Sequence, residues 1–212
     1  MLEEYGRVRV IETGMYGTIV DWRPGDNHCK VELDAWQHEG QIDGDRQFPY
    51  TFMVADLEEL IEVGREGRRA LFDDFDTLVI SFCCYRNLFR SPTIVIRRIG
   101  NDVEVIVQSW GLDTNEKKAV RGSEAAKVVS SVFATHADRW VDHFAPEYRV
   151  LDGYSWTMTV YSGSCFFACK GNNATPAELI DLLYAVADVG LPLAWDDGAI
   201  LLPEESKSDD TQ

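Results

Sequence analysis

The sequence predicts an α+β fold: a small antiparallel β-barrel at the N-terminus, followed by an antiparallel sheet with two helices on one face. Three observations carry this. Residues 1–63 hold short strand-like runs divided by turn clusters rich in Gly, Pro and Asp. Residues 64–203 alternate hairpin-forming strand pairs with two segments of helical spacing. Residues 204–212 are polar and charged and read as a disordered acidic tail.

In the first unit, Arg7–Glu12, Tyr16–Trp22, His28–Trp36 and Gln47–Val54 read as strands. Arg23–Asn27 (RPGDN) separates the second from the third, with Pro, Gly, Asp and Asn each suited to a turn. Asp56–Glu59 (DLEE) offers an Asp N-cap and a Glu at the third position, the capping box of a short helix closing the unit.

Val8-Arg9-Val10-Ile11, Gly14, Gly17 and Ile19-Val20 together resemble a KOW-type motif, whose glycine turn joins two strands. With YGTIVDW, VELD and a closing DLEEL, the whole unit resembles SH3-like small barrel domains of bacterial proteins of unknown function. The resemblance implies a barrel and, through its KOW relatives, contact with RNA or the ribosome. The charge departs from that pattern: residues 1–63 carry five Arg or Lys against fourteen Asp or Glu.

The stretch Gly64–Asp76, glycine-containing and charged with few periodic apolar positions, reads as a joint between the units. Strands follow at Asp76–Tyr85, Thr93–Ile99 and Asp102–Trp110. Gly100-Asn101 is a two-residue hairpin turn, and pairing across it sets Ile96 against Val105, Ile94 against Val107 and Arg97 against Glu104. A short strand near Lys117–Arg121 is followed by a helix over Ser123–Phe144, whose Val129, Val132, Phe133, His136, Trp140 and Phe144 keep helical spacing up to Pro146. Tyr154–Tyr161 and Ser164–Lys170 form a second hairpin around Ser162-Gly163. A two-residue turn there puts Trp156, Met158, Val160, Cys165, Phe167 and Cys169 on one face; a three-residue turn shifts the pairing. Thr175 as N-cap, Pro176 at the first position and Glu178 at the third open the last helix, and Gly190 stops it. Residues from Leu151 to Leu183 are similar to the tails of uncharacterised bacterial α+β proteins, which implies no activity.

Composition narrows the function classes. The chain carries 20 Lys and Arg against 36 Asp and Glu, a formal charge of −16. Nucleic-acid binding draws its affinity from cations set against phosphates, so this balance argues against a polyanion partner and for a basic protein. The leading Met1-Leu2-Glu3-Glu4 is acidic with no apolar core after it, no apolar run nears the roughly 18–20 residues of a membrane span, and the five cysteines are scattered. The reading is a cytoplasmic, membrane-independent protein with reduced thiols.

No catalytic, metal or cofactor motif stands out. Cys165 and Cys169 lie about 13 Å apart on an extended strand, too far for a disulfide or a shared metal. Cys83 and Cys84 point to opposite faces. His136 and His143, seven residues apart on the expected helix, are separated by about 10.5 Å along its axis, with His136 inside the apolar stripe as a core histidine. Tyr161–Phe166 (YSGSCF) lacks the last glycine of a serine elbow and joins strand to strand. One candidate basic patch is Arg86, Arg90, Arg97 and Arg98, read as arginines that meet the acidic barrel across the interface between units.

The candidate partner-binding surface is the aromatic set Tyr16, Trp22 and Trp36 with Asp26, Asp43 and Asp45 around it, since Trp and Tyr dominate binding hot spots. The sequence therefore reads as a non-enzymatic binding protein with a basic protein partner, such as an acidic immunity-type inhibitor of a basic toxin. The alternatives are a KOW-like RNA- or ribosome-associated module, and an enzyme with a site assembled from Asp73, Asp76, His136 and His143.

Overall fold

The computed structural model describes residues 2–34, 49–85, 90–100, 102–109, 118–146, 153–196 and 199–201. Trp36, Asp43, Asp45, Arg86 and the acidic tail lie outside the described residues. Among the described residues the fold is mixed α+β, mostly sheet with three α-helices.

The N-terminal unit is a sheet of β1 (Arg7–Val10), β2 (Tyr16–Asp21), β3 (His28–Leu33), β4 (Tyr50–Met53) and β5 (Leu57–Glu59), in the order β4-β3-β2-β1-β5 with every pair antiparallel. Alternation sends Val8, Val10, Ile19, Val31 and Leu57 into its own small core, which Trp22, Phe52 and Val54 flank. Gly14 takes φ +70° in the β1–β2 turn. Gly17 lets β2 lie close on β3: a Cβ there would stand 2.5 Å from Val31 Cγ1 and 2.8 Å from the Glu32 carbonyl oxygen.

The expected closed barrel is instead an open sheet, with no ladder joining β4 to β5 among the described residues. It is nonetheless strongly curled. In a flat five-stranded sheet the edge strands stand about 19 Å apart. Here a single 3-10 turn, Val54–Asp56, carries the chain from β4 at one edge to β5 at the other. Even a fully extended chain from Met53 to Leu57 reaches only about 14 Å, so the two edges approach each other at this end.

The DLEE segment is not a helix. Asp56 ends the 3-10 turn, and Leu57–Glu59 pairs with β1, Leu57 opposite Val10 and Glu58 opposite Arg9. Tertiary pairing overrides the local capping signal. The chain then changes sheets. The amide of Leu60 donates to the Arg7 carbonyl at 2.9 Å, and the amide of Ile61 donates to the Ser164 carbonyl at 2.8 Å. Residues 57–62 are thus one extended strap serving both sheets, which leaves no length to run beside β4 and close a barrel.

Next come β6 (Ile61–Glu62), α1 (Arg65–Asp73), β7 (Thr77–Cys84), β8 (Pro92–Ile99), β9 (Asp102–Ser109), β10 (Lys118–Arg121) and α2 (Ser123–Ala134). These are followed by β11 (His143–Phe144), β12 (Tyr154–Ser162), β13 (Cys165–Asn172), α3 (Ala177–Asp188) and a small ribbon of β14 (Ala194–Asp196) and β15 (Ala199–Leu201). The large sheet has the order β10-β9-β8-β7-β12-β13-β11, and β6 also pairs in parallel with β13.

The β8–β9 hairpin has the expected register, Ile94 opposite Val107, Ile96 opposite Val105 and Arg97 opposite Glu104. The second hairpin turns at Gly163-Ser164, because Ser162 pairs with Cys165. That is two residues of register away from a turn at Ser162-Gly163, so the same side chains keep the same face.

Three helices, not two, cover one face of the large sheet: Phe72 of α1, Val128 and Val132 of α2 and Leu182 and Leu183 of α3 share a core with Ile80, Ile94, Val105 and Met158. The expected joint at Gly64–Asp76 is α1. Its apolar stripe is only Leu71 and Phe72, completed by the buried Arg68, whose guanidinium lies 5.2 Å from the Phe167 ring centre and pairs with Asp142 at 2.7 Å. The long helix expected to Phe144 ends at Ala134. Thr135 turns its hydroxyl to the Val132 carbonyl (2.7 Å) and accepts the Ala137 amide (3.2 Å), and His136 takes the left-handed φ of +50°. Ala137 and Trp140 still pack on the core through a 3-10 turn, Ala137–Arg139, which is why helical spacing continued in the sequence. In α3, Thr175 does not cap: Pro176 holds the N-cap position, the Thr175 hydroxyl meets that of Tyr154 at 3.0 Å, and Gly190 (φ +82°) ends the helix as expected.

Gly17→Ala is expected to cost about 1–3 kcal/mol through overpacking against β3. Urea unfolding checks it, as a lower midpoint at unchanged slope.

Candidate functional site

The opposite face of the large sheet is also apolar at its centre. Val79 of β7, Val95 of β8 and Ile106 of β9 are each at most 6% exposed, covered by Tyr16, Leu60 and Tyr161 with Phe166 alongside. The small sheet is therefore docked on the large one by its own second face, the face that carries Arg7, Arg9 and Tyr16.

A polar ring surrounds this contact. Tyr16 stacks on Tyr161 of β12, ring centres 4.0 Å apart and planes 16° from parallel. The Arg7 guanidinium forks onto Asp34, with Nη1 to Oδ1 and Nη2 to Oδ2 both 2.6 Å. It also donates to Thr18 Oγ1 at 3.1 Å and to the Tyr161 hydroxyl at 2.8 Å. The Tyr16 hydroxyl donates to Asp76 Oδ1 at 3.1 Å, and Asp76 Oδ2 accepts the Gly163 amide at 2.8 Å. Strand β12 and the turns at Asp76 and Gly163 of the large unit are tied through these groups to β1, β2 and the residue after β3 of the small one.

The proton affinities follow. Burial pushes the Tyr161 hydroxyl up to about 12, against the pull of Arg7. Burial and the Asp76 carboxylate hold Tyr16 well above the usual phenol range. Burial alone would lower the Arg7 pKa, but the Asp34 carboxylate and Tyr161 outweigh it and raise it. Both phenols stay neutral and Arg7 stays charged. The groups satisfy one another, so the chemistry available here is adhesion between sheets rather than proton transfer.

Sequence-predicted residues fall as follows. Tyr16, expected on an exposed partner surface, is 3% exposed inside this contact. Trp22 is half-buried against the small core and donates its indole N–H to the Asp26 carbonyl at 3.3 Å, with Asp26 itself exposed. Trp22 thus closes the small core instead of standing as a surface anchor. Arg98 lies over the Phe75 ring (5.5 Å to its centre) and donates to the Phe75 carbonyl at 3.1 Å, tying β8 to the loop before β7 rather than meeting the small unit. Arg90 and Arg97 are half-buried and engaged in interactions of their own. Arg7, from the small unit, bridges to the large one through Tyr161.

The four residues considered for an enzyme site have separate settings. Asp73 pairs with Arg69 at 2.8 Å on the surface of α1, and Asp76 belongs to the ring. His136, expected in the core, is exposed after α2, and His143 is exposed on β11. Among the described residues no group of three or more His, Cys, Asp or Glu is placed to hold a metal ion. All five cysteines are free thiols; Cys169 is buried in the large core, and burial pushes its thiol up to about 11.

Arg7, Asp34 and Tyr161 were missed. Their signal was the second apolar row of the large sheet, Val79, Val95 and Ile106, which announced a strand set buried on both faces.

No protein-family model matches the chain, and no curated protein matches it. Among the described residues no helix is long and apolar enough to cross a membrane.

The raised thiols and phenols, Cys169 and Tyr161 among them, make stability pH-dependent. Each is neutral in the fold and ionises more readily once unfolded, so its contribution is complete below its unfolded pKa and disappears as pH rises through the folded one. For Cys169 that window runs from 9.0 to about 11, and for Tyr161 from 10.0 to about 12. The loss for each is on the order of 2 kcal/mol. Urea midpoints measured against pH should fall through both windows; Cys169→Ala should shrink the lower limb and Tyr161→Phe the upper.

Proposed function

We propose that the protein is a non-enzymatic binding protein whose small N-terminal unit, SH3-like in type, presents an acidic surface to a basic protein partner. An acidic immunity-type inhibitor of a basic toxin is the most concrete form of this reading. The carrying observation is how the unit holds three of its five cations. Arg7 is held by Asp34 at 2.6 Å, Arg9 by Glu58 at 3.7 Å and Lys30 by Asp21 at 2.8 Å, all within the small sheet. Glu3, Glu4, Glu12, Asp26, Asp56, Glu59 and Glu62 stand exposed around them. The outward field is negative, which repels phosphate backbones and steers cationic proteins.

The SH3-like character is supported by the curled five-stranded sheet that brings its last strand back to its first, and by the glycine turn between β1 and β2. The charge supports a protein ligand over the RNA of KOW relatives.

Affinity capture from the source lysate, with and without nuclease and across a salt series, tests the proposal. The expected result is a basic protein retained after nuclease and released as salt rises, because exposed charge pairs are screened. Retention only of ribosomal proteins that nuclease removes would replace this reading with the RNA-binding one.

A further inference from the structure

We infer that the segment Ala137–Phe144 is a conformational latch, which closes over Trp156 at one edge of the large sheet and opens as a unit while both sheets stay folded. The inference stands apart from the acidic binding role. The segment begins at a bend: the Thr135 hydroxyl bonds back to Val132 at the end of α2, and His136 takes the left-handed φ of +50°, a conformation that residues other than glycine seldom adopt. Its strand, β11, is a two-residue edge strand. His143 lies beside Lys170 and Phe144 beside Gly171, and the Lys170 amide donates to the Asp142 carbonyl at 3.0 Å.

Two kinds of contact hold the segment, and they act in opposite directions. The apolar kind favours closure. Trp140 meets the Trp156 ring edge-on, centres 6.2 Å apart, and Phe144 meets it tilted at 5.7 Å. Trp156 is itself fixed, its indole N–H donating to the Ala174 carbonyl at 2.8 Å. The ionic kind is poorly matched. Arg68 of α1 is buried and reaches Asp142 at 2.7 Å and the Trp140 carbonyl at 3.4 Å, yet its Nε has no hydrogen-bond partner among the described residues. Asp138 is buried too. Its Oδ2 stands 3.7 Å from Arg69 and 3.9 Å from Arg139, beyond hydrogen-bond reach, and its Oδ1 has no partner among the described residues.

A buried charged group with an unmatched donor or acceptor costs free energy that contact with water removes. Opening the segment hydrates Asp138 and lifts Trp140 and Asp142 off Arg68. It leaves the β9-β8-β7-β12-β13 ladders and the three helices untouched, because β11 stands outside them at the sheet edge. Closure thus sets aromatic packing on Trp156 against two ill-paired buried charges. The open form frees one side of the Trp156 ring and the β13 edge at Lys170.

Native-state amide exchange of the full chain, read by NMR in water and in low urea, tests the latch at the Lys170 amide, whose acceptor belongs to the segment. Corrected for its intrinsic rate, Lys170 should exchange at least about tenfold faster than Val79 and Ile80 of β7, and with little dependence on urea. Asp138→Leu removes the ill-paired carboxylate and should slow Lys170 about tenfold. Asp142→Asn deprives Arg68 of its counterion and should speed Lys170 about tenfold while the β7 amides keep their rates, which also verifies that the sheets are folded. Lys170 sharing the protection and urea dependence of β7 would overturn the latch. So would Lys170 rates that neither variant moves, an Asp138→Leu chain in which Lys170 exchanges faster, or an Asp142→Asn chain whose β7 amides speed up equally.

Discussion

The stack of Tyr16 on Tyr161, with Arg7 forked onto Asp34 beside it, is the contact on which the arrangement of the molecule depends. Without it the large sheet would expose Val79, Val95 and Ile106, three apolar residues in adjacent strands, to water. Burying such a row stabilises by roughly 1.5–3 kcal/mol per side chain. The polar ring makes that burial specific, because the Arg7–Tyr161 and Tyr16–Asp76 hydrogen bonds form only in this docking geometry. Losing one partner of the Arg7–Asp34 pair leaves a half-buried charge without its counterion, the costly way to break an ion pair.

The strap of residues 57–62 works with this contact. It pairs with β1 through Leu57–Glu59 and with β13 through Ile61 and Glu62, so the backbone itself crosses the junction with no slack. The result is three layers, with the curled small sheet, the large sheet and the helices in that order, and the large sheet is buried on both faces.

Much of this was legible in the sequence, and the failures have common causes. The β8–β9 hairpin was readable to the register because Gly100-Asn101 fixes the turn and the flanking residues alternate cleanly. The small sheet was readable from Gly14 and Gly17, and the apolar stripe of α3 from its spacing. The errors arose where tertiary pairing overrode a local signal. DLEE has a helix-cap pattern but is drawn out as a strand by β1. Arg68 hides α1, because a buried arginine reads as surface charge. His136 sits in a helical repeat that the Thr135 hydroxyl has already ended. At the candidate site, Tyr16 read as a surface aromatic because its partner Tyr161 is 145 residues away and nothing local announces the meeting. The acidity, in contrast, was fully visible, and only the internal use of Arg7, Arg9 and Lys30 needed the structure.

The central claim is that the small and large sheets form one cooperative unit through the Tyr16–Tyr161 contact and its polar ring. Native-state hydrogen exchange with increasing denaturant tests it directly. The amides of Val8 and Val10 in β1 should merge with those of Val79 and Ile106 into a single opening reaction with one free energy. A separate opening of β1–β5 at markedly lower free energy, while β7 and β9 stay protected, would contradict it.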